Sequence, residues 1–277
     1  MLRIQLWGTR GSIPVSGPQY ARFGGATTCV EVRNSAASGD TPQVVVFDCG
    51  TGLANLGRQW GDRGNDALFL QTHVHWDHIQ GFPFFGPLWN PAARYRLLAA
   101  ERGGKTLKDA LEAQMQQPML PFTIDMLPCG MEFETIATAG DRRFGELRVR
   151  WMEVGHPLGC SSYRLDVGGQ AVVFATDIEL VDTDRQAFVA HCAGADLLVM
   201  DSQYFAEEYA GKRGFGHSTI NDCVDVAREA GVGRLVLTHH DPAHDDHTLD
   251  RKRTVATKLA GADLPVFVAA EGDAIDL

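Results

Sequence analysis

The 277-residue sequence lacks any apolar run of about 18 residues, so no transmembrane helix is expected. Its opening residues, Met1-Leu2-Arg3-Ile4-Gln5-Leu6-Trp7-Gly8, have no apolar core of a secretory signal and read as a strand entering a turn. Positive charge is scarce. Lysine and arginine number 25 against 35 aspartates and glutamates, a formal charge of −10 that argues against a general coat for nucleic acid or anionic membrane. The cysteines (Cys29, Cys49, Cys129, Cys160, Cys192, Cys223) never fall at a C-x-x-C spacing, which excludes a zinc knuckle or a thioredoxin-type motif. They are expected to be reduced, small buried side chains in a cytoplasmic protein. No repeat of 20–50 residues and no long linker is visible. What is present, 44% hydrophobic and 22% charged residues, excludes wholesale disorder.

Short apolar runs bounded by Gly, Asp or Pro predict strands at 2–7, 28–32, 44–47, 67–70, 147–152, 162–167, 171–175, 197–200, 235–237 and 266–269. Helices are predicted at 106–117, stopping before Pro118, and at 219–230, where Ile220, Cys223, Val224 and Ala227 share a face and Ser218 or Thr219 can cap. Weaker helical patterns cover 184–193 and 249–260. Strands come first and then alternate with helices, which predicts a mixed α/β architecture with two sheets. Informative polar residues run from position 73 to 239, so residues 1–277 read as one domain.

The strongest chemical signal is Thr72-His73-Val74-His75-Trp76-Asp77-His78, following the apolar run 67–70. His73 and His75 lie two apart, so in extended chain their imidazoles share a side. A turn after them lets Asp77 and His78 reach a second point nearby. Imidazole and carboxylate suit Zn²⁺, with Mn²⁺ or Fe²⁺ as alternatives. Two such ions about 3.5–4 Å apart can activate a water and clamp both oxygens of a displacement at phosphorus. Three histidines and an aspartate within six residues are far from chance spacing.

H-x-H-x-D-H after a strand resembles the metallo-β-lactamase superfamily. The companions of that pattern follow in order: His156 in Val154-Gly155-His156-Pro157, Asp177 in Ala175-Thr176-Asp177, and His239 in Leu237-Thr238-His239-His240. Taken alone, a histidine before proline reads as a turn residue; the ordered set gives each member its weight. The resemblance implies a four-layer αββα sandwich and two divalent ions. It places His73, His75 and His156 on one, Asp77, His78 and His239 on the other, and Asp177 on both. It also gives Asp77 the positioning of the attacking water.

Three further stretches resemble the ribonuclease Z-like phosphodiesterase branch: Trp7-Gly8-Thr9-Arg10-Gly11-Ser12-Ile13-Pro14, Phe47-Asp48-Cys49-Gly50-Thr51-Gly52 and Gly216-His217-Ser218-Thr219. The resemblance makes His217 the general acid or oxyanion stabiliser. Its place before a helix start suits a phosphate. Two departures stand out. Only 21 positions separate His156 from Asp177, leaving no room for the long arm with which ribonuclease Z grips transfer RNA. Asp201-Ser202-Gln203-Tyr204 also replaces the branch's His-Glu-Ala-Thr, so Asp201 either orients His217 or only caps a strand end.

Both departures, with the acidic charge, argue against a large RNA. They favour a small phosphodiester, foremost a 3′,5′-cyclic nucleotide, as in the superfamily's cyclic-nucleotide phosphodiesterases, including phage anti-Pycsar enzymes. The alternatives are an RNA-processing nuclease of the ribonuclease Z type, another hydrolase of the fold acting on a thioester or lactam, and a metal-bearing nucleotide sensor. The family's habit of pairing protomers implies a homodimer; no membrane partner is expected. His240 faces either the pocket or solvent. His244 and His247, in an acidic loop, are expected to be exposed. The aromatic stretch 82–89 reads as core packing ahead of a base-stacking platform, and Trp76 carries the same two readings.

Overall fold

Residues 1–61 and 66–277 are described by the computed structural model. Alternation in the short apolar runs sets their packing. In β3 (Val44–Phe47), Val45 and Phe47 face one cluster of buried side chains while Val44 and Val46 face another. A strand buried on both faces belongs inside a layered fold.

The first sheet combines β3 with β1 (Leu2–Gly8), β2 (Cys29–Asn34), β4 (Ala67–Leu70), β5 (Arg94–Ala100), β6 (Gly130–Ile136) and β14 (Ala274–Asp276), in the order β14-β1-β2-β3-β4-β5-β6. The second contains β7 (Gly140–Phe144), β8 (Leu147–Val154), β9 (Cys160–Val167), β10 (Gln170–Ala175), β11 (Leu197–Asp201), β12 (Leu235–Thr238) and β13 (Val266–Val268), in the order β13-β12-β11-β10-β9-β8-β7. Both follow one plan. From β14 and from β7, three antiparallel pairings lead into three parallel ones.

The inner faces meet in a core that includes Ile4, Phe47, Val149, Tyr163, Phe174 and Val236. Phe47 stacks on Phe174 across the sheets at 4.7 Å between centroids, and removing either ring would cost about 3–5 kcal/mol. Helices α1 (Gly52–Trp60) and α2 (Leu107–Gln114) cover the outer face of the first sheet through Leu53, Leu56, Leu107 and Leu111. Helices α3 (Arg185–Cys192), α5 (Ile220–Glu229) and α6 (Asp246–Ala260) cover the second through Phe188, Val224, Ala227 and Leu249. One short turn, α4 (Ala206–Tyr209), lies between α3 and α5. The result is the expected four-layer αββα sandwich.

The predicted helix starts are capped by the expected chemistry. Thr219 and Asp222 form a reciprocal capping box on α5, Thr106 and Asp109 do so on α2, and Asp184 caps α3. All six cysteines are buried and free. Among the described residues, no helix is long and apolar enough to cross a membrane.

Candidate metal centre

Parallel strands end at a common edge, where side chains from several loops converge. There β4 runs into the loop carrying His73, His75, Asp77 and His78; the last two sit on a single 3₁₀ turn, Trp76–His78. Beyond β8 lies His156, beyond β10 Asp177, and beyond β12 His239. Asp177 and His239 adopt left-handed backbone, with φ of 51° and 57°. Such conformations cost roughly 1–3 kcal/mol and gather at functional sites.

Asp177 is central, and its two oxygens face different groups. Oδ2 lies 3.7 Å from His73 Nε2 and 3.6 Å from His156 Nε2. Oδ1 lies 3.2 Å from His78 Nε2 and 3.1 Å from His239 Nε2. On the first side, His156 Nε2 is 3.0 Å from His75 Nδ1. On the second, Asp77 Oδ2 is 3.1 Å from His78 Nε2 and 3.4 Å from His239 Nε2. The seven side chains expected from the sequence are thus brought together as two donor sets, His73–His75–His156–Asp177 and Asp77–His78–His239, with Asp177 Oδ1 turned toward the second.

Most of these imidazoles are held from behind. His78 Nδ1 donates to Asp48 Oδ2 at 2.8 Å, His156 Nδ1 to the Gly216 carbonyl at 2.9 Å, and His239 Nδ1 to Gln203 Oε1 at 2.9 Å. His73 Nδ1 lies 3.0 Å from Thr72 Oγ1, whose hydroxyl donates to Asp48. These contacts leave each Nε2 free to face inward, as a metal ligand requires. Asp77 is fixed by the Ser12 amide, which donates to its Oδ2 at 2.8 Å. Gly216 has φ of +87°, and a Cβ there would fall 2.1 Å from His156 Nδ1. Only glycine permits that approach.

The electrostatics suit cations. Burial keeps His73, His75 and His156 below the ordinary histidine range, hence neutral and available as donors. Burial alone would raise Asp77 and Asp177, yet the imidazoles of His78 and His239 hold both carboxyls below their usual range. His73 Nε2 and His78 Nε2 are buried without a hydrogen-bond partner, and buried polar atoms are rarely left so. Orphaned inward nitrogens, flanking carboxylates and nitrogen–oxygen donors fit divalent metal ions.

His217 completes the wall. Its ring stacks on His239 at 4.9 Å between centroids, and it lies with Asp177, Asp201 and His239 in one compact group. Its Nδ1 donates to Asp201 Oδ2 at 2.7 Å. Asp201 therefore orients His217, resolving the two readings of that aspartate. Burial would depress the His217 imidazole, but Asp201, with Asp177 and Asp77 beyond, lifts it to about 9.

Other expectations change. His244 is buried, not exposed, because its Nε2 meets Glu208 Oε1 at 3.0 Å and its ring packs on Phe205. His247 is exposed as expected. His240 faces neither pocket nor solvent: it is fully buried, with Nε2 2.9 Å from the Ala269 carbonyl. In 82–89, Phe82, Phe85 and Leu88 are core, whereas Phe84 and Trp89 are exposed, as is Trp76. Sequence reasoning assigned no role to Asp48, Gln203 or Glu179. The last accepts from Tyr209 Oη and from the Gly214 and Gly216 amides, so it shapes the loop that carries His217.

Residues 43–240 match the beta-lactamase superfamily domain. Ribonuclease Z of Haloarcula marismortui is 25% identical over 86% of this chain and 86% of its own length. Ribonuclease Z of a Bradyrhizobium strain is 33% identical over 79% of this chain and 88% of its own. The crystal structure of the metallo-beta-lactamase fold protein YhfI from Bacillus subtilis superimposes with a TM-score of 0.72 at 18% identity, covering 100% of both chains. Relatives named as ribonucleases over most of their length overturn the expectation that argued against a large RNA. A missing arm and an acidic overall charge do not by themselves decide the size of the substrate. By the match over 43–240 and the 33% identical relative, the chain belongs to the beta-lactamase superfamily and is a hydrolase of the metallo-β-lactamase fold.

Proposed function

We propose that the protein is a metal-dependent phosphodiesterase. The observation that carries this reading is the Asp201–His217 pair, 2.7 Å apart and set beside the two donor sets. Hydrolysis of a phosphodiester needs an acid for the departing oxygen, whereas a donor cluster alone would serve many esters.

His73, His75 and His156 would hold one ion, Asp77, His78 and His239 the other, and Asp177 both, with Zn²⁺ the proposed metal on this imidazole-rich set. When bound, the ions supply Lewis acidity toward a phosphoryl oxygen and toward a water. Asp77, anchored by the Ser12 amide, orients that water. Asp201 keeps His217 protonated and fixes its ring. As the P–O bond breaks, the leaving oxygen takes the proton from His217 Nε2.

The names of the relatives favour an RNA phosphodiester as substrate. A 3′,5′-cyclic nucleotide is the second reading. The same two donor sets and the same acid would serve its phosphodiester bond. Residues 1–277 are proposed to act as one domain, and as a homodimer that sedimentation would reveal.

The test incubates metal-reconstituted protein with a 3′-extended transfer RNA precursor and a panel of 3′,5′-cyclic nucleotides, with and without chelator. Chelator-sensitive cleavage of either supports the class, and the faster one names the substrate. No cleavage of either by protein shown to hold two ions would overturn the reading.

A further inference from the structure

Lysine is almost never fully buried without a partner. Lys252, on α6, has no exposed surface, and no step proposed above uses it. Its Nζ donates to the Ser202 carbonyl at 2.6 Å and reaches the Gln203 carbonyl at 3.5 Å. Burial pushes the ammonium down to about 8, with Asp201 opposing, so it is charged at neutral pH. An apolar side chain would fill the same space without the cost of desolvating a cation, so packing alone leaves the charge unexplained.

The anchored segment is the loop that follows β11. Asp201 at its start accepts from His217 Nδ1 through Oδ2 and from the Gln203 amide through Oδ1. Gln203 accepts from His239 Nδ1. Ser202 is tied on the other side to Thr238, the residue before His239: its amide donates to that carbonyl at 3.0 Å and its hydroxyl at 3.2 Å. One short loop therefore orients both His217 and His239, and Lys252 pins it from beneath.

We propose that Lys252 is a positioning residue which, by fixing the 202–203 peptides, holds Gln203 against His239 and Asp201 against His217. Through this loop one side chain of α6 would set both the tightness of the Asp77–His78–His239 ion site and the aim of the acid. The rate arm of the proposal rests on the phosphodiesterase reading; the ion-affinity arm does not.

The experiment compares wild type, Lys252→Met, Lys252→Arg and Gln203→Ala. Zinc affinity is read by competition with a chromophoric chelator, and turnover on a 3′,5′-cyclic nucleotide, whose alkoxide leaving oxygen needs the proton. Lys252→Met should bind one of its two ions about tenfold or more weakly, as loss of outer support typically does, while the other stays unchanged. Its kcat should fall by at least a similar factor with KM little altered, and Lys252→Arg should recover most of both. Gln203→Ala breaks the same chain nearer the ion with Lys252 in place and should weaken the same ion; it decides the matter if Lys252→Met does not fold. Wild-type affinity in Lys252→Met or in Gln203→Ala would overturn the proposal. So would equal weakening of both ions in step with a lowered melting temperature and no rescue by arginine. Selective ion loss in a protein inactive on every phosphodiester would instead sink the phosphodiesterase reading and leave the role of Lys252 standing.

Discussion

The two sheets share a pairing plan, and in each the fourth strand of that plan ends near an aspartate with left-handed backbone. After β3 it is Asp48, with φ of 58°; after β10 it is Asp177, with φ of 51°. Their carboxylates do opposite things. Asp48 turns toward the backs of the donors, accepting from Thr72 and from His78 Nδ1. Asp177 turns toward the fronts, facing four Nε2 atoms. One backbone position thus yields a brace in the first half and, in the second, a carboxylate that faces both donor sets. The halves also differ in how they deliver donors: four on a single loop in the first, three from separate strand ends in the second.

Asp177→Asn tests the asymmetry most severely. It should strip both ions and abolish activity, seen by metal analysis of the purified variant; retention of two ions would show that the carboxylate is not shared. His217→Ala should keep both ions and lower turnover by about 10²–10⁴-fold. The wild-type rate should fall on the alkaline side, where the imidazolium that Asp201 stabilises loses its proton, and the variant should lack that limb. An unchanged rate or profile would remove His217 from the mechanism. Asp48→Asn should weaken the ion at His78, which it braces directly, by about 10–100-fold in a chelator competition, and the ion at His73, which it reaches only through Thr72, by less. Equal loss of both ions would erase the distinction between brace and ligand. The mildest comparison uses the two capping boxes. Thr106→Ala in the first half and Thr219→Ala in the second should each cost about 1 kcal/mol by denaturant titration. Only the second, two residues from His217, should also slow turnover.

Legibility followed the same asymmetry. The loop from His73 to His78 is contiguous, so its donors could be read from spacing. His156, Asp177 and His239 lie up to 166 positions from His73 and became readable only through the order of a family pattern. Asp48 and Gln203 were not read, because their partners are 30 and 36 positions away and a polar residue after a strand looks alike whether it braces or merely turns. The layered fold was legible from the order of strands and helices, but α1 was not. It carries Gly52 and Gly57, poor helix formers; a Cβ at Gly57 would fall 2.9 Å from the Phe85 ring, so close packing against the neighbouring segment overrides local propensity. Strand β7, Gly-Asp-Arg-Arg-Phe, has the charge of a sheet edge and hid among loop residues.

The orphaned nitrogens of His73 and His78 bear on how durable the molecule is. The folded chain gathers two carboxylates, Asp77 and Asp177, and several inward imidazoles in one buried cluster. Ions that bind only the folded form add stability in proportion to the logarithm of their free concentration, about 2.7 kcal/mol at a hundredfold excess over the dissociation constant. Thermal resistance is then a property of the medium as much as of the chain. The same protein would melt at different temperatures in a chelating buffer and a metal-replete one.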